Sequence, residues 1–403
     1  MKKVAIMGHG TVGSGVYEVF AMNAARIARA VGEEVEVKYV LDLRDFSHLD
    51  YADKFVSDFE VILNDPEVTV VAEVMGGVRA AYDFTKRCLL AGKSVCTSNK
   101  ELVATHGEEL LEIAREKNVN YLFEASVGGG IPIIRPMLQC LAANEIEEIA
   151  GILNGTTNYI LTEMFQKGVA FADALRQAQA LGYAEADPTA DVEGHDACRK
   201  ICILSNIAFG DKIDPEAVSC EGISKITLED VQAAAALGCV IKLLGRAVPS
   251  ADGGVYAYVA PHLISKKSPL ASVDDVFNAI MVTGNALGES MYYGKGAGKL
   301  ATASAVVADM MDAIAHEDKR RPVFWGKGEQ KLLRPLDDFV SGWYVRFVGA
   351  EADLKAVLGD WETIVPAGEG FAARVAAAST AEMAAKLAAL GEKGAVLSAM
   401  RML

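Results

Sequence analysis

The chain has 403 residues, of which 51% are hydrophobic and 23% are charged, and its formal net charge is −15. Such a length exceeds one compact core, so we expect two or three domains. The acidic balance argues against nucleic acid and anionic membranes as partners, because both require clustered cations. Seven cysteines without a CxxC pair indicate free thiols in a cytoplasmic protein, rather than a disulfide framework or a zinc site. No signal-peptide pattern and no membrane-spanning apolar run is found.

The first motif is glycine-rich and lies between an apolar strand at residues 4–7 and a helical pattern. Its glycines allow a tight turn, close approach of the backbone to a pyrophosphate, and close helix–strand packing. The helix N-terminus then offers N–H groups to the phosphates. This position in the chain favours a dinucleotide-binding loop over a glycine-rich structural turn. We assign five residues to the cofactor: Gly8, Gly10, Thr11, Val12 and Gly13.

A second predicted strand, residues 35–41, ends at Asp42, and Arg44 follows two residues later. An acid at this strand end binds a ribose 2′-hydroxyl, whereas an arginine accommodates a 2′-phosphate. Because both side chains are present, the sequence leaves NAD and NADP open, and Arg44 favours NADP slightly.

Strand and helix patterns then alternate, which predicts a doubly wound parallel sheet. The predicted strands are 69–74, 94–97 and 120–124, and the predicted helices are 79–91 and 101–117. Ligands of such sheets bind at the carboxyl ends of the strands. We therefore expect the site in three loops, at Gly76-Gly77, at Ser98-Asn99-Lys100 and from Glu124 onward.

The segment EASVGGGIPI, residues 124–133, places a carboxylate before three adjacent glycines. Bare backbone carbonyls beside a carboxylate can coordinate a hard cation. A flexible hinge between domains explains the same glycines, and the residues do not decide between the two. A predicted helix at 133–142 and a strand at 146–153 follow, and Thr156 or Thr157 can then cap the next helix instead of touching a substrate.

The central stretch GYAEADPTADVEGHDACRK, residues 182–200, is dense in ionisable side chains and precedes an apolar helix that begins near residues 194–196. Asp196 and Lys200 are four residues apart, so they share one helix face. The alternative is an acidic surface loop before a helix with an ordinary ion pair. Strands at 241–248, 255–261 and 277–282 predict a second sheet, and a helix is predicted at 301–315.

The last segment repeats a small strand–helix pattern. WYVRFVG, TIVPAG, GFAARVAAA and AVLSAMRML are predicted strands, and ADLKAVLGD and AEMAAKLAAL are predicted helices. This β-α-β-β-α-β order is typical of a ferredoxin-like fold.

Several motifs together resemble homoserine dehydrogenases over about residues 1–320. GHGTVGSG, SNKELVA, EASVGGGIPII, NGTTNYIL, GYAEADPTADVEGHDACRK and GKGAG occur in the order seen in that family. Its members reduce L-aspartate 4-semialdehyde to L-homoserine with NAD(P)H, on the route to threonine, isoleucine and methionine. The resemblance implies a cytoplasmic enzyme with an amino-acid substrate, working as a homodimer or larger homo-oligomer.

The resemblance also implies an α/β fold with separate domains. It places a Rossmann-type nucleotide-binding domain at residues 1–130, with a helix at about 300–318 packing back on it. An α+β catalytic and dimerisation domain follows at 131–300, then a linker at 319–338. The remaining residues, 339–403, form a small ferredoxin-like, ACT-like domain.

Residue roles follow from the same resemblance. The implied catalytic residues are Lys200 as general acid/base, Asp196, which orients homoserine, and Lys100, which lies between cofactor and substrate. Implied substrate contacts are Glu185, which grips the ammonium group, Asp191, Gly155, Thr156 and Tyr183. Implied cofactor contacts further include Arg44, Ser98, Lys100 and Gly284. A sodium ion is implied at Glu124 and the main-chain oxygens of Val127, Gly129 and Ile131.

The chemistry is consistent with these residue types. Hydride delivery to an aldehyde leaves an alkoxide, which needs a proton donor within hydrogen-bond reach. An amino-acid substrate needs carboxylates around its ammonium group, and the acidic loop supplies them.

The tail departs from the family. ACT domains carry an Asp-x-Pro-Gly turn where an effector binds, whereas this chain has Gly349-Ala-Glu-Ala-Asp353. Feedback inhibition by threonine is therefore doubtful. Two rival functions remain: another semialdehyde or amino-acid dehydrogenase, which would alter Glu185, and a non-catalytic amino-acid sensor, which would lack Lys200, Asp196 or Lys100.

Overall fold

The computed structural model describes residues 1–359 and 361–403, in two compact units. Unit 1 comprises Met1–Glu145, Cys202–Glu216 and Gly294–Lys331, and unit 2 comprises Ile146–Ile201, Ala217–Tyr293 and Leu332–Leu403. Within the described residues, every helix is too short or too polar to cross a lipid bilayer.

Unit 1 is built on a six-stranded sheet. Its strands are β1 Lys2–Met7, β2 Val35–Leu41, β3 Phe55–Val56, β4 Val68–Glu73, β5 Ser94–Thr97 and β6 Tyr121–Leu122. They follow the order β3-β2-β1-β4-β5-β6, and each neighbouring pair is parallel. This order confirms the predicted doubly wound sheet, whose switch point lies between β1 and β4. The central strands are apolar along their length because helices cover both faces.

Six helices accompany this sheet: α1 Thr11–Met22, α2 Ala24–Val31, α3 Phe59–Leu63, α4 Arg79–Leu90, α5 Lys100–Lys117 and α6 Ala125–Gly128. The helix predicted at residues 133–142 is shorter than expected. Ile134 and Arg135 are α-helical, and Pro136–Cys140 continues as a π-helix that ends with a 2.9 Å bond from Leu141 N to Pro136 O.

The middle of the chain forms a second sheet. Its strands are β7 Ile146–Ile152, β8 Ser219–Cys220, β9 Cys239–Pro249, β10 Val255–Ser265, β11 Phe277–Gly284 and β12 Gly288–Lys295. The helices are α7 Gly155–Lys167, α8 Phe171–Ala180, α9 Thr189–Val192, α10 His195–Phe209 and α11 Leu228–Ala236. The three strands predicted here are found, each slightly longer than its apolar run. The start of α10 matches the prediction, whereas the short α9 interrupts what was expected to be a loop.

Helix α12, Lys299–Ala315, belongs to unit 1 and packs against α1. Gly15 makes this packing close, because a Cβ atom there would lie 2.8 Å from Lys299 O and 3.0 Å from Ala303 Cβ. The glycine just beyond the cofactor motif therefore serves helix packing.

The tail confirms the predicted ferredoxin-like order. Its elements are β13 Val340–Val348, α13 Glu351–Leu358, β14 Trp361–Ala367, β15 Gly370–Ser379, α14 Thr380–Gly391 and β16 Ala395–Met402. Asp360, at the end of the predicted helix ADLKAVLGD, lies outside the described residues. The four strands follow the order β16-β13-β15-β14. Strand β16 also pairs in parallel with β10, through His262 opposite Arg401 and Leu263 opposite Met402, so the tail extends the second sheet.

Candidate active site

The glycine-rich loop of unit 1 has the backbone geometry that a dinucleotide requires. Gly8 has a φ of +98°, and a Cβ atom at Gly13 would lie 1.9 Å from Gly8 O, so both positions exclude a side chain. A Cβ atom at Gly10, by contrast, would meet no atom within 4 Å. Thr11 and Val12 begin α1, and in the described structure no side chain caps it. The first N–H groups of this helix therefore suit an anionic ligand.

Asp42 and Arg44 form one hydrogen-bonded group after β2. Asp42 Oδ2 accepts from His9 N and from Arg44 Nη2, both at 2.8 Å, and Asp42 Oδ1 accepts from Arg44 Nε at 3.0 Å. The guanidinium hydrogen bonds hold the pKa of Asp42 well below its usual range. Arg44 remains 62% exposed along its side chain. The acid is thus oriented by the glycine-rich loop, while the arginine faces solvent where a 2′-phosphate could bind.

The loops after β4 and β5 are tied together at the carboxyl edge of the same sheet. Thr97 Oγ1 donates to Glu73 Oε2 at 2.6 Å and accepts from Asn99 N at 2.9 Å. Asn99 caps α5 by accepting from Leu102 N at 3.1 Å, which fixes Lys100 as the first residue of that helix. Ser98 N donates weakly to Glu73 O at 3.4 Å. The sequence analysis did not single out Glu73 or Thr97.

Glu124 is a buried carboxylate held by main-chain amides. Oε1 accepts from Ile133 N and Ile134 N, both at 2.7 Å, and Oε2 accepts from Arg135 N at 2.8 Å. The carboxylate thus orders the chain after the three glycines, and it accepts from these amides as a capping side chain does at the start of a helix. Gly129 has a φ of +57°, and a Cβ atom there would lie 2.2 Å from Gly296 O. This glycine therefore permits a close chain crossing.

Val127 and Ile131, the other predicted sodium ligands, lie buried near Glu124 in sequence. The described residues contain no cluster of three or more histidine, cysteine or acidic side chains suited to a metal ion. A site here would depend mainly on carbonyl oxygens. The residues fit a cation in part, since Glu124 Oε2 accepts a single amide and so retains a lone pair.

Unit 2 contains a buried polar group around Lys200. Lys200 Nζ donates to Leu153 O and to Asp196 Oδ2, both at 2.7 Å. Asn154 Nδ2 donates to Asp196 Oδ2 at 2.9 Å and to Asp191 Oδ1 at 2.7 Å. Only 7% of Lys200 and 3% of Asp196 is exposed. An ion pair this well buried is not the ordinary surface pair that charge patterning alone allows.

Local packing explains how these side chains meet. Gly194, with a φ of +84°, turns the chain into α10, and the i, i+4 spacing then aligns Asp196 with Lys200. Gly245 in β9 lets the end of β7 approach α10, because a Cβ atom there would lie 2.7 Å from Leu153 Cδ1 and 3.1 Å from Ile201 Cβ.

Asn154 belongs to this polar group, although the sequence alone did not identify it. Its Oδ1 accepts from Thr157 N at 2.9 Å, so Asn154 caps α7. The prediction that Thr156 or Thr157 provides this cap was wrong. An asparagine between a strand and a helix is a strong cap signal that could have identified it. Because the cap fixes Asn154 Oδ1, its Nδ2 is directed at the two acids.

The remaining predicted substrate residues lie on the same unit. Thr156 Oγ1 donates to Tyr183 O at 2.6 Å, and the Tyr183 ring contacts Tyr159 edge-on. Gly155 leaves no room for a side chain, because a Cβ atom would lie 2.7 Å from Val276 O. Glu185 is exposed. Gly284, which was predicted as a cofactor contact, ends β11 opposite Ile146. Hydrogen bonds therefore join Asp191, Asp196 and Lys200 through Asn154, whereas Glu185 lies on the surface of its loop.

Comparisons with known proteins agree with both units. A family model described as "Homoserine dehydrogenase, NAD binding domain" matches residues 8–124, and one described as "Homoserine dehydrogenase" matches residues 132–311. A homoserine dehydrogenase of Neisseria gonorrhoeae is 42% identical over 353 residues, covering 85% of this chain and 81% of the relative.

Solved structures are similar as well. The crystal structure of a homoserine dehydrogenase from Thiobacillus denitrificans matches with a TM-score of 0.89 and 36% identity, covering 100% of this chain and 98% of the other. A hyperthermophilic archaeal homoserine dehydrogenase mutant, solved in complex with NADPH, matches with a TM-score of 0.67 and 29% identity, covering 78% and 98%.

Proposed function

The chain belongs to the homoserine dehydrogenase family, and we propose that Lys200 exchanges the proton of the reaction that interconverts L-aspartate 4-semialdehyde and L-homoserine. NAD(P)H supplies the hydride when it is bound. The carbonyl oxygen of the semialdehyde then carries a negative charge, and the Lys200 ammonium group donates a proton to it. In the reverse direction, neutral Lys200 accepts the hydroxyl proton of homoserine.

The observation that carries this proposal is the buried Lys200–Asp196 pair. Leu153 O and Asp196 Oδ2 orient the ammonium group, and Asn154 orients Asp196. A proton donor works only when it is held within hydrogen-bond reach of the reacting oxygen. Asp196 thus positions the donor, and we further assign it to homoserine binding.

We assign the amino-acid part of the substrate to the polar residues around this pair. Asp191 and Glu185 supply negative charge for the ammonium group, and the exposed Glu185 can turn toward it. The other proposed contacts are Gly155, Thr156 and Tyr183, on and beside the start of α7.

All the proposed cofactor contacts except Gly284 belong to unit 1. Gly8, Gly10 and Gly13, with the N–H groups of Thr11 and Val12, would hold the pyrophosphate. Arg44 would meet a 2′-phosphate, which favours NADP, while Asp42 would accept from a ribose hydroxyl of NAD. The remaining proposed cofactor contacts are Ser98, Lys100 and Gly284.

We propose three further features that the resemblance implies. A sodium ion would bind Glu124 and the carbonyl oxygens of Val127, Gly129 and Ile131, where it would order the backbone after the glycines. The chain would act as a homodimer or larger homo-oligomer in the cytoplasm. The chain would consist of a nucleotide-binding domain at 1–130, a catalytic and dimerisation domain at 131–300, a linker at 319–338 and an ACT-like domain at 339–403.

Initial rates of homoserine-dependent NADP⁺ and NAD⁺ reduction test the function. We expect turnover with both, faster with NADP⁺, and a lower NADP⁺-to-NAD⁺ ratio in Arg44→Ala. A folded protein that binds NADPH but turns over neither cofactor would contradict the proposal. Repeating the assay with tetramethylammonium in place of sodium tests the ion, since an unchanged rate and unchanged thermal stability would argue against it.

Substitutions of two glycines in the proposed cofactor loop distinguish an effect on NADPH binding from an effect on protein stability. We expect Gly10→Ala to fold normally but to weaken NADPH binding by about tenfold or more, because its Cβ atom enters open space where the pyrophosphate is proposed to lie. Gly13→Ala should also lower the melting temperature, since its Cβ atom would collide with Gly8 O. Fluorescence titration and thermal unfolding measure the two effects. Equal NADPH affinity in wild type and Gly10→Ala would place the pyrophosphate elsewhere.

A further inference from the structure

Glu73 is a buried carboxyl group at the switch point of the unit 1 sheet. It is the last residue of β4 and is 0% exposed. Its Oε1 accepts from Met75 N at 2.8 Å, and its Oε2 accepts from Thr97 Oγ1 at 2.6 Å. Burial raises the pKa of Glu73 to about 7, and these two hydrogen bonds offset the burial only in part. Glu73 therefore changes charge near neutral pH.

This carboxyl group connects three loops at the carboxyl edge of the sheet. Through Met75 N it fixes the turn that packs on the cofactor loop, where a Cβ atom at Gly8 would lie 2.9 Å from Met75 Cγ. Through Thr97 it reaches Asn99, whose Nδ2 donates to Gly77 O at 2.7 Å. Glu73 thus lies beneath the loops that precede α4 and α5.

The titratable side chain that interacts with Glu73 is that of Tyr121, and it is neutral. Tyr121, on β6, is fully buried, and burial followed by the charge of Glu73 raises the pKa of its hydroxyl well above the usual range. Thr97 from β5 and the main chain of Met75 supply the other polar contacts. A charge on Glu73 is therefore stabilised by hydrogen bonds and not by a cation, so its field extends to a ligand above the loops.

The sheet topology indicates which part of the cofactor lies above Glu73. A dinucleotide lies across the switch point, with one mononucleotide on each half of the sheet. Asp42 and Arg44, after β2, mark the adenosine half. The nicotinamide half therefore lies over β4 and β5, the strands that contribute Glu73 and Thr97.

We propose that Glu73 is a positioning residue whose negative charge favours the oxidised, cationic nicotinamide over the reduced, neutral one. The inference rests on the proposed use of NAD(P). Ionised Glu73 attracts the positive ring of NADP⁺ and has no such effect on NADPH. The charges of the pyrophosphate and the 2′-phosphate are common to both forms. The ratio of the two dissociation constants therefore isolates the charge on the ring.

The expected effect is measurable. Two unit charges about 12 Å apart at an effective dielectric constant of about 20 interact strongly enough to change a dissociation constant by roughly tenfold. The ratio of the NADP⁺ to the NADPH dissociation constant should fall by about fivefold as the pH rises from 6 to 8, because Glu73 with a pKa of about 7 is partly ionised at both ends of this range. Titration of the 2′-phosphate, and of His9 beside Asp42, alters both constants alike.

The test measures both dissociation constants by calorimetry between pH 6 and 8 in wild type and Glu73→Gln. We expect the ratio in Glu73→Gln to be constant over this range. A pH-dependent ratio in the folded Glu73→Gln protein, or a constant ratio in wild type, would overturn the proposal. Loss of homoserine turnover with a normal pH-dependent ratio would instead remove the proposed function and leave the role of Glu73 intact.

Thr97→Val provides a second variant in case Glu73→Gln does not fold. Removing the hydroxyl donor deletes an interaction that lowers the pKa of Glu73, so the change in the ratio should move to higher pH. Thr97→Ser is the matched control and should keep the wild-type midpoint. Coinciding midpoints in Thr97→Val and Thr97→Ser would contradict the assignment of the titration to Glu73.

Discussion

Replacing Lys200 with alanine is expected to lower the rate of homoserine oxidation by about 10²- to 10⁴-fold, the range that general acid–base catalysis contributes. The reason is that the hydroxyl group of homoserine loses the group proposed to accept its proton. NADPH affinity should remain near that of wild type, because Lys200 is not among the residues assigned to the cofactor. Initial rates at saturating homoserine and NADP⁺, with a parallel NADPH titration, measure the two effects.

Two variants sharpen this result. Lys200→Arg keeps the positive charge but cannot release a proton near neutral pH, so it should be nearly as inactive as the alanine variant. Lys167→Ala is the matched control, because Lys167 forms an i, i+4 pair with Glu163 on α7 but is 59% exposed along its side chain. It should retain wild-type turnover. High activity in Lys200→Arg would show that charge, and not proton transfer, is what Lys200 provides.

Replacing Asp230 with alanine is expected to lower the free energy of unfolding by about 3 to 5 kcal/mol. Asp230, on α11, is fully buried and accepts from Arg346 Nε at 2.7 Å and from Tyr344 Oη at 3.0 Å on β13. Ser398 Oγ on β16 donates to the same carboxylate. Removing the acid leaves Arg346, which is 6% exposed, buried without its partner. Urea unfolding followed by circular dichroism measures the loss.

Glu351→Ala tests whether burial is the cause. Glu351 pairs with Lys355 in the same tail, but both side chains are 41% exposed, and such pairs contribute less than about 1 kcal/mol. We expect its unfolding midpoint to stay close to that of wild type. Comparable losses in the two variants would show that the Asp230 group contributes no more than a surface ion pair.

Local patterns made much of the fold predictable. Strand β2 was predicted at its observed bounds, and α10 begins within the predicted range, because alternating apolar residues and a glycine turn specify such elements within a few residues. The glycine-rich loop was likewise predictable, since Gly8 and Gly13 occupy positions that exclude a side chain. The Asp196–Lys200 pair followed from helical spacing, although its burial did not.

The contacts that sequence reasoning missed are those between distant segments. Arg401 lies opposite His262 in a parallel pair of strands that are more than a hundred residues apart. Because no short turn connects these strands, the sequence does not indicate that they pair. Glu73 meets Thr97 across neighbouring strands, and Asp230 meets Arg346 between a helix and a sheet. Each partner is ordinary in its own stretch of sequence, so only the folded chain reveals the pair.

The junction of β16 with β10 connects the tail to the strands that lead to the residues proposed as catalytic. From β16 the strand order runs through β10 and β9 to β7, the strand that leads into Leu153 and Asn154. Hydrogen-bonded strands transmit motion by twisting or by sliding in register, not by swinging on a hinge. We therefore expect a ligand or a mutation in the tail to act on Lys200 by changing the twist of this continuous sheet. The tail is an extension of the sheet that leads to Lys200, in contrast to a sensor domain attached by a flexible linker.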